Sequence, residues 1–273
     1  MTTLVDWPGA DKSGPDKSGA ALVSVVIPVF NEADNVLVLL DEVRAVLSGR
    51  VAAEVIFVDD GSTDATAERL ASRLSSREVV PVRLIRHLQR SGQSAAVRSG
   101  VKAASGGWIA TLDGDGQNDP ADILNLLEAA RNDACGPALI GGVRARRRDT
   151  LSKRLASRFA NALRQALLRD GAVDTGCGIK LFRRDAFLDL PFFGAQHRFL
   201  PALFRSHGHG VIFVEVNHRP RAGGVSKYVN WRRGVVGFFD LFGVLWLTCR
   251  TKVPPAVEEA LAATVKSNYS EKK

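Results

Sequence analysis

The chain has 273 residues, 45% hydrophobic and 24% charged, which excludes a fibrous or wholly disordered protein and leaves room for one large domain or two small ones. Its net charge of +8 is unevenly placed: residues 144–169 carry nine Lys or Arg against Asp149 alone, and residues 217–233 carry five with no acid. A neutral-to-acidic body with two basic segments suits a polyanionic partner, and three scattered cysteines (Cys135, Cys177, Cys249) exclude a thiolate zinc knuckle or a dense disulfide framework.

Residues 1–20 contain a doubled DKSG among Gly and Pro and read as a disordered leader; with no basic n-region and apolar stretch, no signal peptide is expected. LVSVVIPVF (22–30) is a continuous apolar, β-branched run that predicts a strand buried on both faces. From Asn31 onward, Val36, Leu39, Leu40, Val43 and Leu47 fall at helical spacing, ending near Gly49. EVIFVDD (54–60) predicts a second strand, 64–74 a second helix, VRLIRH (82–87) a third strand, and 93–104 a helix opening after Gly92. WIATLD (108–113) predicts a fourth strand, a helix runs from Pro120 to Arg131, and PALIGGV (137–143) is a fifth strand.

Strands alternating with helices at this spacing predict an α/β fold with right-handed βαβ units and a mainly parallel sheet. Such sheets bind ligands beyond the carboxyl ends of their strands. Three of those ends carry acids: Asn31-Glu32, Asp59-Asp60 and Asp113-Gly-Asp115-Gly-Gln117. Alternate residues of an extended chain point the same way, so Asp113, Asp115 and Gln117 can converge as a hard oxygen set for Mg²⁺ or Mn²⁺. An ordinary Asp-Gly turn is the plain alternative for that segment. An EF-hand loop is excluded, because Asn118 stands at its sixth position and Leu124 at its twelfth. No G-x-G-x-x-G follows the first strand and no Walker A sequence occurs, which disfavours a dinucleotide dehydrogenase or a P-loop NTPase. Nucleic acid is disfavoured as well, since neither basic segment interleaves stacking aromatics. His197, His207, His209 and His218 show no zinc spacing and read as loop or phosphate-contacting residues.

Taken in order, Val26-Ile-Pro-Val-Phe-Asn-Glu32, Asp59-Asp-Gly-Ser-Thr-Asp64, Gly92-Gln-Ser-Ala-Ala and Leu112-Asp-Gly-Asp-Gly-Gln117 closely resemble family-2 glycosyltransferases of the GT-A fold. The nearest branch is similar to the polyprenyl-phosphate glycosyltransferases, of which dolichyl-phosphate mannosyltransferase is the best-known type. Gly142-Val-Arg144, Ser157-Arg158 with Asn161, Asp174-Thr-Gly-Cys-Gly178, His197-Arg-Phe and Arg221-x-x-Gly224-x-Ser226-Lys227 fit that branch, so the resemblance covers residues 22–250.

The resemblance implies a Rossmann-like GT-A domain over 21–230. It places Pro28, Phe30, Glu32 and Asp60 around the nucleoside of a UDP- or GDP-sugar. It assigns Asp113, Asp115 and Gln117 to the metal, and Arg144, Arg158, Arg221 and Lys227 to the acceptor phosphate and the leaving diphosphate. The reaction it implies is an inverting transfer of a sugar to a polyprenyl phosphate, giving a donor for envelope glycan or glycolipid synthesis. Two alternatives stay open. One is a related transferase acting on a saccharide hydroxyl with Asp174 as base; the other is a noncatalytic protein that binds nucleotide or anionic lipid.

GVVGFFDLFGVLWLTC (234–249) is the most hydrophobic stretch, too short at 16 residues to span a bilayer comfortably and interrupted by Asp240. Val235, Phe238, Phe239, Phe242, Leu245, Trp246 and Cys249 recur at helical spacing, with Arg232, Arg233, Arg250 and Lys252 at the flanks. The expectation is a membrane-interface helix over 231–252 lying on an anionic leaflet, followed by a polar tail over 253–273. A helix packed on the catalytic domain is the plain alternative. The enzyme is therefore expected to be cytoplasmic and peripheral to the cytoplasmic face of the membrane. One short helix attaches marginally, so substrate, a partner or homo-oligomerisation would assist it.

Overall fold

The computed structural model describes residues 23–74, 79–134, 136–144, 164–219 and 231–253. The expected leader and almost all of the expected tail lie outside them. Among the described residues the chain forms β1 (Val23–Val29), α1 (Val36–Leu47), β2 (Ala53–Asp59), α2 (Thr66–Ala71), β3 (Val82–Arg86) and α3 (Gln93–Ala103). There follow β4 (Trp108–Thr111), α4 (Asp122–Asn132), β5 (Leu139–Arg144), β6 (Lys180–Arg183), α5 (Arg184–Leu188), α6 (Leu200–Ser206), β7 (Val211–Val216) and α7 (Trp231–Arg250).

The seven strands form one sheet in the order β3-β2-β1-β4-β6-β5-β7. All neighbouring pairs are parallel except those of β6, which runs antiparallel to both β4 and β5. The sheet is therefore mainly parallel, as the βαβ spacing predicts. β1, β2 and β4 are buried along almost their whole length, because helices cover both faces. On one face Val23, Val25 and Ile27 of β1 pack with Leu39, Leu40 and Val43 of α1 and with Ile123, Leu126 and Leu127 of α4. On the other, Val26, Ile56 and Val58 meet Ala96, Val97 and Val101 of α3, in a cluster that continues through Phe182, Phe187 and Phe204 to Leu241 and Val244 of α7.

Two local features open the upper end of this sheet. Pro28 sits inside β1, yet its missing N–H costs no ladder bond. Val26 accepts from Leu112 on the β4 side and Pro28 faces the same way, but β4 has diverged by then. Asn31 then takes a left-handed conformation (φ 55°) in place of the helical start expected there, and α1 begins only at Val36. Asparagine tolerates this backbone, and its side chain is held in place by the distant Thr63.

α3 lies close on the sheet at Gly100. A Cβ added there would fall inside contact distance of Val26 and 3.1 Å from Val58. Gly100→Ala is expected to destabilise the protein by about 1–3 kcal/mol through overpacking, read as a lower urea midpoint with an unchanged denaturant slope. A midpoint equal to wild type would show that α3 shifts away without cost.

Candidate active site

The three acidic strand ends are side by side, because β2, β1 and β4 are neighbours in the sheet. They open into a cleft of about 940 Å³ lined by Pro28, Phe30 and Glu32 beyond β1, Asp60 beyond β2, and Asp113, Asp115 and Gln117 beyond β4. All seven sequence-predicted residues for nucleoside and metal thus line one space. The N-terminal turn of α3, the 192–198 segment and Val236, Gly237 and Asp240 of α7 complete the wall.

The first two acidic segments are bound to each other. Asn31 N–H donates to Ser62 Oγ at 2.9 Å, and Glu32 N–H to Thr66 Oγ1 at 2.9 Å. Asp59 is fully buried and accepts from Ser62 N–H at 2.9 Å, so it shapes the loop, while its neighbour Asp60 faces the cleft. Asp60 in turn accepts backbone N–H bonds from Ser91 and Gly92, at 2.8 and 2.7 Å. Phe30 carries the guanidinium of Arg90 over its ring at 4.1 Å, which brings a cation to the same wall.

Asp113 is the electrostatic centre of the third segment. Its carboxyl is pushed up to about 6 from the usual 3.8, first by burial and then by the negative charge of Asp115. The Lys180 and Arg144 charges and a 2.9 Å hydrogen bond from Gln93 Nε2 oppose that rise without cancelling it. Two carboxylates, with an amide oxygen two residues on, fit a hard divalent cation by the chemistry of their donors. Among the described residues no group of three His, Cys, Asp or Glu could hold a metal, so the third protein donor of such a site would be Gln117. Gly178 presses on the Asp113 carboxyl so closely that a Cβ would collide with it, which fixes where the carboxyl sits.

A side cavity of about 130 Å³ continues from the cleft behind Asp113, lined by Thr175–Gly178, Lys180 and His197. Lys180 is buried, donates to the Cys177 carbonyl, and has its ammonium pulled down by desolvation. The nearby Cys177 thiol is pushed up by burial, so it is inert as a nucleophile.

The predicted phosphate-binding cations fare differently. Arg144 ends β5, but its guanidinium forks onto Asp174, Nε to Oδ2 at 2.6 Å and Nη2 to Oδ1 at 2.8 Å. It lines neither cavity and reaches the site through its charge on Asp113. Asp174, the candidate base of the hydroxyl-acceptor alternative, has an oxygen committed to each arm of that fork and lines neither cavity. Arg158, Arg221 and Lys227 lie outside the described residues. The cleft instead presents Arg90 and Arg198, with His197 held by Ser94 Oγ at 2.7 Å. No role attaches to Arg90 or Arg198 in the sequence alone, although Arg90 follows a strand end and His197-Arg198 belongs to a motif that fits the family.

α7 is two-sided. Leu241 and Val244 are buried against the domain, and Asp240 lines the cleft near the Arg198 charge, its carboxyl pushed up by burial. Phe238, Phe239, Phe242 and Trp246 are exposed, Phe239 by 69%. Among the described residues no helix is long and apolar enough to cross a membrane.

A mainly parallel sheet with acids at the adjoining ends of β2, β1 and β4 is a GT-A architecture. Residues 24–190 match the model of Glycosyl transferase family 2, and the chain belongs to that family. It is a glycosyltransferase. It is 33% identical over 249 residues to an undecaprenyl-phosphate 4-deoxy-4-formamido-L-arabinose transferase of Pectobacterium carotovorum, covering 89% of this chain and 72% of the relative. It is 36% identical over 215 residues to a dodecaprenyl-phosphate galacturonate synthase of Rhizobium johnstonii, covering 76% of this chain and 61% of that one. Glucosyl-3-phosphoglycerate synthase of Mycobacterium tuberculosis, solved with Mg²⁺ and UDP, shares the fold at a TM-score of 0.65 and 20% identity, covering 86% and 81% of the two chains.

The raised Asp113 carboxyl gives a pH test. Its folded value lies above its unfolded one, so ionisation opposes folding increasingly between about pH 4 and 6, and the penalty is complete at pH 7.5. In chelator at pH 7.5, Asp113→Asn is expected to be more stable than wild type, on the order of 1–2 kcal/mol once solvent at the half-buried carboxyl is allowed for. The gap should close by pH 4. A wild type that is the more stable at pH 7.5 without metal would contradict this electrostatic reading.

Proposed function

We propose that this chain transfers a sugar from a UDP- or GDP-sugar to a polyprenyl phosphate with inversion at the anomeric carbon. The observation that carries the reading is the convergence of Asp60, Asp113, Asp115 and Gln117 on one cleft beyond β2, β1 and β4. The relatives' names supply the acceptor class, since both act on a polyprenyl phosphate.

Pro28, Phe30, Glu32 and Asp60 would hold the nucleoside, the carboxylates accepting from base and ribose. Asp113, Asp115 and Gln117 would hold Mg²⁺ or Mn²⁺, which when bound neutralises the diphosphate as a leaving group. A lipid phosphate is already anionic at pH 7, so its oxygen can attack the anomeric carbon without a base. The bond from that carbon to the diphosphate breaks as the new one forms, and the electron pair departs with the nucleotide. The residues' task is then to orient an in-line displacement and to balance charge. Arg198 in the cleft, Arg144 through its field, and Arg158, Arg221 and Lys227 from the basic segments would gather the acceptor phosphate, arginine pairing with it bidentately. The Asp174–Arg144 fork supports a reading in which Asp174 orients Arg144 and does not remove a proton.

The domain layout follows the same reading, with the GT-A domain over 21–230 and α7 within the membrane-interface segment 231–252. The exposed Phe238, Phe239, Phe242 and Trp246 would enter the headgroup region of an anionic leaflet on the cytoplasmic face. The opposite stripe carries Asp240, which lines the cleft that would receive the lipid phosphate. The product would be a lipid-linked sugar used by envelope glycan or glycolipid synthesis.

The test is a transfer assay with labelled UDP- and GDP-sugars, a polyprenyl phosphate and Mn²⁺ or Mg²⁺. Label should enter the organic phase only with metal, and fall at least roughly 100-fold in Asp115→Ala. Replacing Phe238, Phe239 and Trp246 by Ser should lower transfer to vesicle-borne acceptor while nucleotide binding persists. Transfer to a saccharide hydroxyl with no lipid label would overturn the reading.

A further inference from the structure

The loop that carries Asp113, Asp115 and Gln117 runs from the end of β4 to the start of α4 and turns through Gly116 in a left-handed conformation (φ 72°). Two carboxylates on such a loop can relieve their repulsion by swinging apart, so holding them together needs ties from outside it. Within the loop, Asn118 Oδ1 accepts from Asp113 N–H at 3.0 Å and joins the two halves.

The outer ties come from three consecutive residues that follow β7. Asn217 N–H donates at 2.8 Å to Oδ2 of Asp122, the buried first residue of α4. His218 forms an antiparallel bridge with Asn118. Arg219 N–H donates to the Gln117 carbonyl at 2.9 Å, on the backbone of the proposed metal donor itself. The Arg219 guanidinium then reaches two further elements. Nη2 pairs with Asp119 Oδ1 at 2.9 Å, and Nη1 donates to Glu42 Oε2 of α1 at 2.8 Å. Arg219, Asp119 and Glu42 line neither the cleft nor its side cavity. Arg219 belongs to the basic segment 217–233, whose charge suits a polyanion, yet in the fold its fork is taken by two carboxylates.

We infer that Arg219 is a positioning residue for the metal loop: it clamps Gln117 and Asp119 to α1 and so keeps Asp113, Asp115 and Gln117 in the arrangement that takes a divalent cation. This inference rests on the metal reading above and adds to it a residue outside the cleft. The role separates from plain stabilisation. The Arg219 and Glu42 side chains are 40% and 39% exposed, and exposed pairs of this kind add little to global stability. Ties that orient metal donors, in contrast, change metal affinity by about 10–100-fold.

Two measurements on the full chain test it. Arg219→Ala keeps the backbone N–H and removes the side-chain ties. In chelator, hydrogen exchange across residues 112–119 is expected to run roughly 10-fold faster in that variant than in wild type, with the urea midpoint little changed. With UDP present, Mn²⁺ should bind to it roughly 10-fold more weakly, and Arg219→Lys, which can keep one of the two pairs, should recover part of the loss. Glu42→Gln releases only the α1 arm, and serves as well should Arg219→Ala not fold. It should weaken Mn²⁺ by a smaller factor on its own and by none when added to Arg219→Ala, because its effect passes through Arg219. An equal loss in both backgrounds would overturn the assignment. So would a merely structural result, in which the urea midpoint falls while loop exchange and Mn²⁺ affinity stay at their wild-type values. A wild type that takes up no Mn²⁺ would be a different failure, overturning the metal reading and the role given to Arg219 with it.

Discussion

Like charges placed at the ends of adjacent strands repel, and a partly dry cleft makes the repulsion worse. Here β2, β1 and β4 lie together in the sheet and bring Asp60, Glu32, Asp113 and Asp115 to one space. Asp60 is relieved by two backbone N–H groups and His87. Asp113 is not relieved to the same degree, and its carboxyl stays high despite Lys180, Gln93 and Arg144. The fold therefore holds its charge-deficient point at the tip of β4, where Gly178 leaves the carboxyl no other place to go. That donor chemistry suits a divalent cation, the role proposed above for Asp113, Asp115 and Gln117.

That constraint orders the rest of the cleft. Polar side chains with fixed partners, as in the Ser94–His197 and Gln93–Asp113 pairs, project from the first turn of α3, which is held down on the sheet at Gly100. Opposite them stands α7, packed on the domain through Leu241 and Val244. Its Asp240 faces the cleft and its aromatic residues face away. A helix with apolar residues on two sides satisfies only one of them within the domain. The buried stripe fits the packed helix that is the plain alternative in the sequence reading, and the exposed stripe is the surface that the proposed function assigns to the bilayer interface.

Much of this was legible in the sequence for a physical reason. β1, β2 and β4 are buried on both faces, so their residues form unbroken apolar runs, and the acids that end those runs stand out. β7 carries a strand signal of its own in VIFVEV, but β6 is four residues, KLFR, and acquires its antiparallel place between β4 and β5 only from long-range pairing. α1 starts later than its periodicity predicts, because Asn31 adopts a left-handed turn that periodicity does not show. Arg90 and His87 carry no motif, and the motif that contains Arg198 does not say where its side chain goes, since the direction a loop side chain takes depends on elements distant in sequence. Arg144 and Asp174 were both visible as charged motif residues, while their mutual fork depends on two segments folding together. Asp240 looks like an interruption of an apolar helix until the helix is set against the cleft.

The central physical claim is that Asp113 and Asp115 bind a divalent cation jointly with the donor diphosphate. Titrating the wild-type chain with Mn²⁺ and following the electron paramagnetic resonance signal of the unbound ion addresses it without assuming any acceptor. Adding UDP should deepen the loss of that signal in wild type, and Asp115→Ala should abolish the effect. Nucleotide binding that is indifferent to chelator, with no loss of Mn²⁺ signal, would contradict it.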